Sequence, residues 1–449
     1  MIRHVAIVGA GFSGTLQAIN LLRHGGPRAT LIERAARPGL GLAYGAAHPS
    51  HVLNVRAANM SAFPDAPDHF VRWLEARGTP DAAGAFVPRL TYGTYLRELL
   101  DAARAQAGDR LDIVQGDAVD IVEDGAVAVR LDDGREVAAD AAVLAVGNLP
   151  PHAPPGLDPD DLSPERYKGD PWEPSVGEGL GDADTVLVIG TGLTMVDVVL
   201  MLDARGFAGR IVAISRRGLA PHRHAAAQPW DKLAEKPAAS GAKLVRSVRA
   251  RAEAIGWRNA VDELRPFTQA LWAQAGQDDR ARFLRHLRPW WDVHRHRLAP
   301  QVADRLAALR ASGRLTIVAG KTLGFTEDED GVTVRYRPRG ADAADTMLVQ
   351  RIVNCTGPQG DLLRTSEPLL RTLAQRGAIR PDPEHLGLDV TTAGQVVRAD
   401  GSASERLFAL GPMTRGAFWE IVAVPDIRRQ TWDVARRLSN AHWVGGEGL

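Results

Sequence analysis

Cysteine is almost absent: Cys355 is the single one among 449 residues. No internal disulfide can therefore form, and without a Cys-x-x-Cys pair the chain lacks the dithiol through which disulfide reductases exchange electrons. Charge of one sign is lacking too. Lys+Arg and Asp+Glu are 54 each, so the overall balance offers no electrostatic footprint for nucleic acid or an anionic membrane surface. Long apolar runs are also missing. The longest, residues 185–202, is broken by Gly190, Gly192 and Asp197, which suits a strand, turn and helix better than a membrane span. The opening MIRHVAIVGAG enters a strand at once, leaving no room for a charged segment, an apolar stretch and a cleavage site. No transmembrane segment is expected, and a cytoplasmic location is. What remains is a long chain with small ligands as its expected partners, and nothing in the sequence fixes an oligomeric state.

A length of 449 residues exceeds one ordinary core and predicts two domains. His4 to Val8 is a short apolar, β-branched run ending in glycines. An apolar-periodic stretch from Ser13 to Arg23 and a second run, Ala29 to Ile32, complete a β-α-β unit. A second such unit starts at Thr185 to Ile189, continues through a helical stretch near Thr194 to Ala204, and returns in Arg210 to Ser215. There is also an internal echo: LDIVQG (111–116), alternating strands and AVLAVG (142–147) parallel LTIVAG (315–320), alternating strands and IVNCTG (352–357). The expected fold is α/β, with two Rossmann-like dinucleotide-binding domains, small β-meanders and a helical insertion. Residues 1–150 plus 350–449 are expected to form the first domain, and residues 180–349 the second. The insertion is placed at about 232–312, where helical spacing, many arginines and Trp257, Trp272, Trp290 and Trp291 break the β pattern.

Gly9, Gly11 and Gly14 form a Gly-x-Gly-x-x-Gly directly after the first strand, with Glu33 closing the next one. In that context the first glycine permits a tight turn, the second lets backbone N–H groups approach a pyrophosphate, and the third lets the helix pack on its strand. Glu33 is expected to accept hydrogen bonds from a ribose. The second motif keeps Gly190 and Gly192 but has Met195 at the third glycine position. Its second strand ends in Ser215, Arg216 and Arg217, so guanidinium groups stand where a ribose 2′-phosphate would lie, which favours NADPH over NADH. Two unlike nucleotide sites imply one bound carrier and one exchanging reductant. FAD is assigned to the first, which is followed by the glycine-rich stretch GLGLAYG (39–45).

The strings GLAYG (41–45), HVLNVRA (51–57), MSAFPD (60–65), FVPR (86–89), PWWDVHRH (289–296) and GPMTRGAFWE (411–420) resemble a bacterial family of FAD/NAD(P)-binding flavoproteins. That family is related in architecture to the two-Rossmann monooxygenases that N-hydroxylate amines or insert oxygen beside carbonyls. The resemblance spans nearly the whole chain. It implies reduction of FAD by NAD(P)H, capture of O2, and transfer of one oxygen atom to a small soluble substrate. Because it extends to a bacterial FAD-dependent urate hydroxylase, it implies 5-hydroxylation of urate as the leading activity, with amine N-hydroxylation next. By resemblance Gly9, Gly11, Ser13, Gly14, Glu33, Gly41, Gly147 and Gly411 match FAD positions, and Gly190, Gly192, Thr194, Arg216 and Arg217 those for NAD(P)H. Pro412 stands where many relatives have an aspartate. A helix starting near Ala423 is expected to turn its N-terminal N–H groups to the flavin instead.

Catalytic candidates are Asn54 and Asp65, in a loop expected near the flavin, and Arg288 and His294, in a stretch dense in Arg and His beside Trp290 and Trp291. That stretch would suit a planar anion stacked on an aromatic face; as an alternative, these are positions of an amphipathic helix with arginines reaching outward. The pairs His222/His224 and His294/His296 lack an adjoining carboxylate or thiolate set at ligand spacing, so no metal site is expected. Cys355 reads as a small buried side chain. Two other classes stay open: an NAD(P)H:acceptor flavin reductase that transfers no oxygen, and a non-catalytic dinucleotide-binding sensor.

Overall fold

The computed structural model describes residues 2–225 and 229–439. Two compact units emerge, one made of Met1–Gly45, Arg56–Leu149 and Gly360–Leu449, the other of Ala46–Val55 and Pro150–Gln359. The strands in chain order are β1 (His4–Val8), β2 (Arg28–Glu33), β3 (Leu111–Gln115), β4 (Ala118–Asp124), β5 (Ala126–Leu131), β6 (Glu136–Ala139), β7 (Ala141–Leu144) and β8 (Tyr167–Lys168). They continue with β9 (Thr185–Ile189), β10 (Arg210–Ser215), β11 (Leu315–Glu327), β12 (Val332–Pro338), β13 (Asp345–Val349), β14 (Arg351–Asn354), β15 (Gln395–Val397) and β16 (Ala403–Ala409).

In the first unit the main sheet has the order β15-β16-β7-β1-β2-β3. β1 runs parallel to both β2 and β7, in registers such as Ile7↔Leu31 and Ile7↔Val143. The inner positions of these strands are Val, Ile, Leu and Ala apart from buried Thr30, because a parallel sheet is covered on both faces. Val5, Ile7, Leu31 and Val143 are wholly buried on one side, under the helix Phe12–Arg23 and the helix Val424–Leu438. Those two helices are also joined by a hydrogen bond from Asn20 Nδ2 to Thr431 Oγ1 (3.3 Å). A three-stranded antiparallel meander, β4-β5-β6, lies between β3 and β7 in the chain.

The second unit repeats the plan. Its sheet has the order β13-β12-β11-β10-β9-β14-β8, with β9 parallel to β10 and β14. Its meander is continuous with the sheet because β11 is one long strand that turns antiparallel to β12 beyond Ala319, whereas β3 and β4 are broken at Gly116. The helical insertion comprises Gly241–Ile255, Trp257–Asp262, Thr268–Gln274, Gln277–Arg282, a π-helical turn Phe283–Leu287, Arg288–Arg295 and Pro300–Ala311.

Three boundaries differ from the sequence expectation. Residues 350–359, expected in the first domain, belong to the second unit because β14 hydrogen-bonds beside β9, with Ile352 opposite Leu187. Residues 46–55 cross over as well, held by His51 Nε2 donating to the Asp197 carbonyl (3.0 Å). Residues 151–179, left outside both expected domains, belong to the second unit and carry β8 on the edge of its sheet.

Candidate dinucleotide sites

In the first unit the strand order reverses at β1, which has β2 on one side and β7 on the other; in open α/β sheets the crevice beyond the carboxyl ends of such strands is where ligands bind. Gly9 sits at the end of β1 with φ +98°, and an added Cβ would lie 2.5 Å from the Ala145 carbonyl oxygen. At Gly14 a Cβ would lie 1.8 Å from the Gly9 carbonyl oxygen, so the helix touches its own strand there. Gly11 begins the helix in extended conformation, with no side-chain cap and no acid in the first turn. The N–H groups of that turn are thus left to an outside acceptor, and the helix dipole favours an anion. Gly41 (φ +55°) packs its backbone on Gly11, where a Cβ would approach the Gly11 Cα to 2.9 Å. Gly147 (φ +70°) closes the rim with open space in front of it.

Glu33 ends β2 as expected, and both its oxygens are engaged: one accepts from the Ala10 N–H (2.7 Å), the other from the Ala35 N–H (3.0 Å). It therefore ties the glycine turn to its neighbour strand, and each oxygen keeps a lone pair for a ribose hydroxyl. Gly411 (φ +75°) follows β16 and faces Ser13, whose Oγ would be 2.5 Å from an added Cβ; its N–H donates to Gln430 Oε1 (2.8 Å). The predicted helix beyond Ala423 is present as Val424–Leu438, uncapped by any side chain. Sequence reading passed over the aromatic wall beside this cradle. Phe12, Tyr44, Tyr92 and Phe70 meet at ring-centroid distances of 4.9 to 6.4 Å. Burial pushes the Tyr92 phenol well above its ordinary range and Tyr95 up to about 12, so both stay neutral. The signal that was available is the Tyr92/Tyr95 spacing, one turn apart on the helix Arg89–Ala107.

Asp65 does not stand free as a proton relay would: Arg23 holds both of its oxygens (2.7 and 3.2 Å) while lying over the Phe63 ring. Asn54 belongs to the second unit, and its backbone carbonyl accepts from His224 Nε2 (3.0 Å).

The second unit presents the same device with different chemistry. Gly190 (φ +119°) passes so close to β14 that a Cβ would lie 2.1 Å from the Cys355 carbonyl oxygen. Gly192 starts the helix Leu193–Ala204, uncapped, without an acid in its first turn and with open space before it. Thr194 is in that first turn, and Met195 at the third glycine position is fully buried. Thr191, which the sequence did not single out, fastens the turn: its Oγ1 lies 2.8 Å from Ser215 Oγ and 2.5 Å from the Leu219 carbonyl. Beyond Ser215, Arg216 is exposed and Arg217 half-buried. Cys355 is buried, and burial raises its thiol well above its ordinary value, which removes it as a nucleophile.

In the insertion His294 is packed not against Trp290 or Trp291 but against Trp257 and His222, at 4.8 and 4.7 Å between ring centroids. Its Nδ1 lies 2.7 Å from the Trp290 carbonyl. Burial, then the charges of His294, Arg258 and Arg297, lower the His222 pKa. Arg288 faces Asp292 at 3.5 Å, and buried Arg297 grips Asp262 with two hydrogen bonds of 2.8 and 2.9 Å. Two of the cations expected to greet a planar anion are thus already paired. Among the described residues no group of three or more His, Cys, Asp or Glu could hold a metal ion, and no helix is long and apolar enough to cross a membrane.

Residues 6–149 match the FAD-NAD(P)-binding family model. This segment is an FAD/NAD(P)-binding domain. No curated protein matches the whole sequence significantly, but solved structures do match it in fold. An L-lysine 6-monooxygenase from Pseudomonas syringae is 16% identical with a TM-score of 0.68, covering 99% of this chain and 100% of its own. An FAD-bound cadaverine monooxygenase from Erwinia amylovora is 13% identical with a TM-score of 0.68, over 98% and 95%. A thioredoxin reductase from T. acidophilum is 12% identical with a TM-score of 0.55, over 98% of both chains. The chain has the two-Rossmann fold of these monooxygenases and reductases, and structures of that fold are bound to FAD and, in an ornithine N-hydroxylase from Kutzneria, to NADP+ as well. The two glycine-lined helix starts fit these cofactors: each offers uncapped N–H groups where a pyrophosphate would lie.

Proposed function

We propose that this protein is an FAD-dependent monooxygenase that consumes NAD(P)H, with NADPH preferred, and hydroxylates a small soluble amine on nitrogen. The observation that carries the reading is the pair of unlike cradles. Glu33 closes the first with an acid suited to a ribose hydroxyl, and Arg216 and Arg217 close the second with cations suited to a 2′-phosphate. FAD, when bound, supplies the hydride acceptance and the oxygen chemistry. The chain's own part is to hold it: the N–H groups around Gly11 meet the pyrophosphate, Glu33 fixes the glycine turn, and the buried phenols form a wall that excludes water.

Amine N-hydroxylation stands ahead of urate hydroxylation. The similar folds include enzymes named for lysine and cadaverine, and of the cations that would suit a planar anion such as urate, Arg288 and Arg297 are already paired. The single buried cysteine argues against thiol-disulfide exchange, so a reductase reading requires an outside acceptor. The test is aerobic NADPH oxidation with ornithine, lysine, cadaverine and urate in parallel, following O2 uptake and product mass. Amine-stimulated uptake yielding a hydroxylamine is expected. Stimulation by urate alone with a hydroxylated product would overturn the amine assignment, and turnover only with an anaerobic electron acceptor would replace the monooxygenase reading by the reductase.

A further inference from the structure

The insertion has one feature that neither the substrate candidates nor the glycine motifs use. Its π-helical turn Phe283–Leu287 runs directly into the helix Arg288–Arg295, and π turns often mark functional positions. Pro289 has no N–H to give to the carbonyl four residues back, which belongs to Arg285. Arg217 Nη2 reaches that carbonyl at 3.5 Å. The second guanidinium nitrogen, Nη1, is buried without a hydrogen-bond partner. Arg217, two residues beyond the second nucleotide strand, is therefore spent as a strut against the insertion, and Arg216, next to it in the chain, and Arg285, whose carbonyl it meets, are both exposed. Among the described residues no acid pairs with either: Asp292 faces Arg288, and Asp278 and Asp279 stand in the first turn of the preceding helix, whose last turn carries Arg280 and Arg282.

We infer that Arg285, contributed by the helical insertion, reads the 2′-phosphate of NADPH together with Arg216, and that Arg217 is the positioning residue that holds the two together. This rests on reading Gly190 and Gly192 as the nicotinamide nucleotide site. The turn that carries Arg216 is itself fixed to the glycine loop by Thr191 and by the Gly218 N–H donating to Ser215 Oγ (3.0 Å). Pyrophosphate cradle, arginine turn and insertion thus form one hydrogen-bonded series within the second unit. A charge-assisted contact to phosphate is stronger than a neutral one and carries the discrimination between the two nucleotides, because NADH offers only an uncharged hydroxyl at that position.

The experiment is titration of the flavin-loaded protein with NADP+ and NAD+, comparing the parent with Arg285→Ala and Arg285→Lys by calorimetry at two salt concentrations. Arg285→Ala is expected to weaken NADP+ by about tenfold to hundredfold and to leave NAD+ within about twofold. Arg285→Lys is expected to recover most of the NADP+ loss, with a steeper salt dependence than the parent because a lysine offers a point charge without the fork. Equal losses for both nucleotides, or no loss for either, would overturn the role of Arg285 while leaving the nucleotide site in place. A parent protein that binds neither nucleotide would overturn the site and the inference together. Arg285 is exposed, so the melting temperature of the variant should match the parent and separates lost binding from lost structure.

Discussion

Gly11 and Gly14 belong to one motif, yet the structure assigns them separable jobs, and alanine at each should tell them apart. At Gly14 a methyl group would begin 1.8 Å from the Gly9 carbonyl oxygen. Reaching even a 3.0 Å contact requires a 1.2 Å retreat of the helix from a backbone atom that cannot rotate away. Overpacking costs about 1–3 kcal/mol, and a backbone contact this close puts it at the upper end, about 3 kcal/mol, offset by about 1 kcal/mol of better helix propensity. A net loss of about 2 kcal/mol in this unit lowers its melting temperature by roughly 4–8 °C, taking 2–4 °C per kcal/mol. Gly11 differs. Its backbone is extended, not left-handed, and a Cβ there would stand 3.4 Å from the Gly41 Cα, an ordinary contact. The fold should accept it, with a small gain of about 0.5 kcal/mol from the stiffer unfolded chain. What it fills is the approach that a pyrophosphate needs. Flavin content by visible absorbance and melting of flavin-stripped protein measure the two effects. Gly11→Ala should purify with at least about tenfold less flavin and an unchanged apo melting temperature, and Gly14→Ala should melt early even without flavin. Full flavin occupancy in Gly11→Ala, or an unshifted apo melt in Gly14→Ala, would refute the reasoning.

Replacing Arg216, the proposed reader, and Arg217, its proposed support, together by alanine should raise KM for NADPH about 100-fold and KM for NADH less than about threefold; parallel changes would show that this turn does not serve reading of the 2′-phosphate. Glu33→Gln keeps one acceptor of the two that meet Ala10 and Ala35, so the flavin dissociation constant should rise about tenfold, and an unchanged value would remove Glu33 from the site. Asp382 lies buried beside Gly416, and burial raises its pKa from 3.8 to about 6 despite N–H donors from Glu384, Leu386 and Gly387. A raised acid binds its proton more tightly when folded. The stability it confers is full below pH 3.8 and is lost as pH rises through about 6, amounting to about 3 kcal/mol at 1.36 kcal/mol per unit. Asp382→Asn should flatten that part of the urea-denaturation profile between pH 4 and 7, and a profile parallel to the parent's would contradict the assignment.

Local patterns reached far into this fold because parallel strands buried on both faces must be apolar throughout, and glycine spacing next to a strand admits few alternatives. The echo between residues 111–147 and 315–357 became two meanders feeding two sheets. Long-range pairing lay beyond such patterns. Nothing local to Arg351–Asn354 says that it hydrogen-bonds beside β9, and nothing in residues 46–55 reveals that His51 anchors on Asp197. The site was legible where backbone geometry decided it, at Gly9, Gly14 and Gly190. It was illegible where a partner decides the role of a charge. Asp65 was a candidate until Arg23 took both of its oxygens, and Arg288 and Arg297 looked free until Asp292 and Asp262 met them. Arg217 shows the converse: a residue read as a phosphate ligand also braces a helix turn that only a distant proline, Pro289, explains.

The proposed function requires that the protein hold a flavin and accept hydride on it from a nicotinamide nucleotide, NADPH in preference to NADH. Anaerobic mixing of the purified yellow protein with NADPH and, separately, with NADH tests that claim most directly, by the loss of flavin absorbance near 450 nm. Rapid bleaching with NADPH, at concentrations well below those NADH requires, is the predicted result; protein that carries no flavin, or flavin that neither nucleotide bleaches, would contradict it.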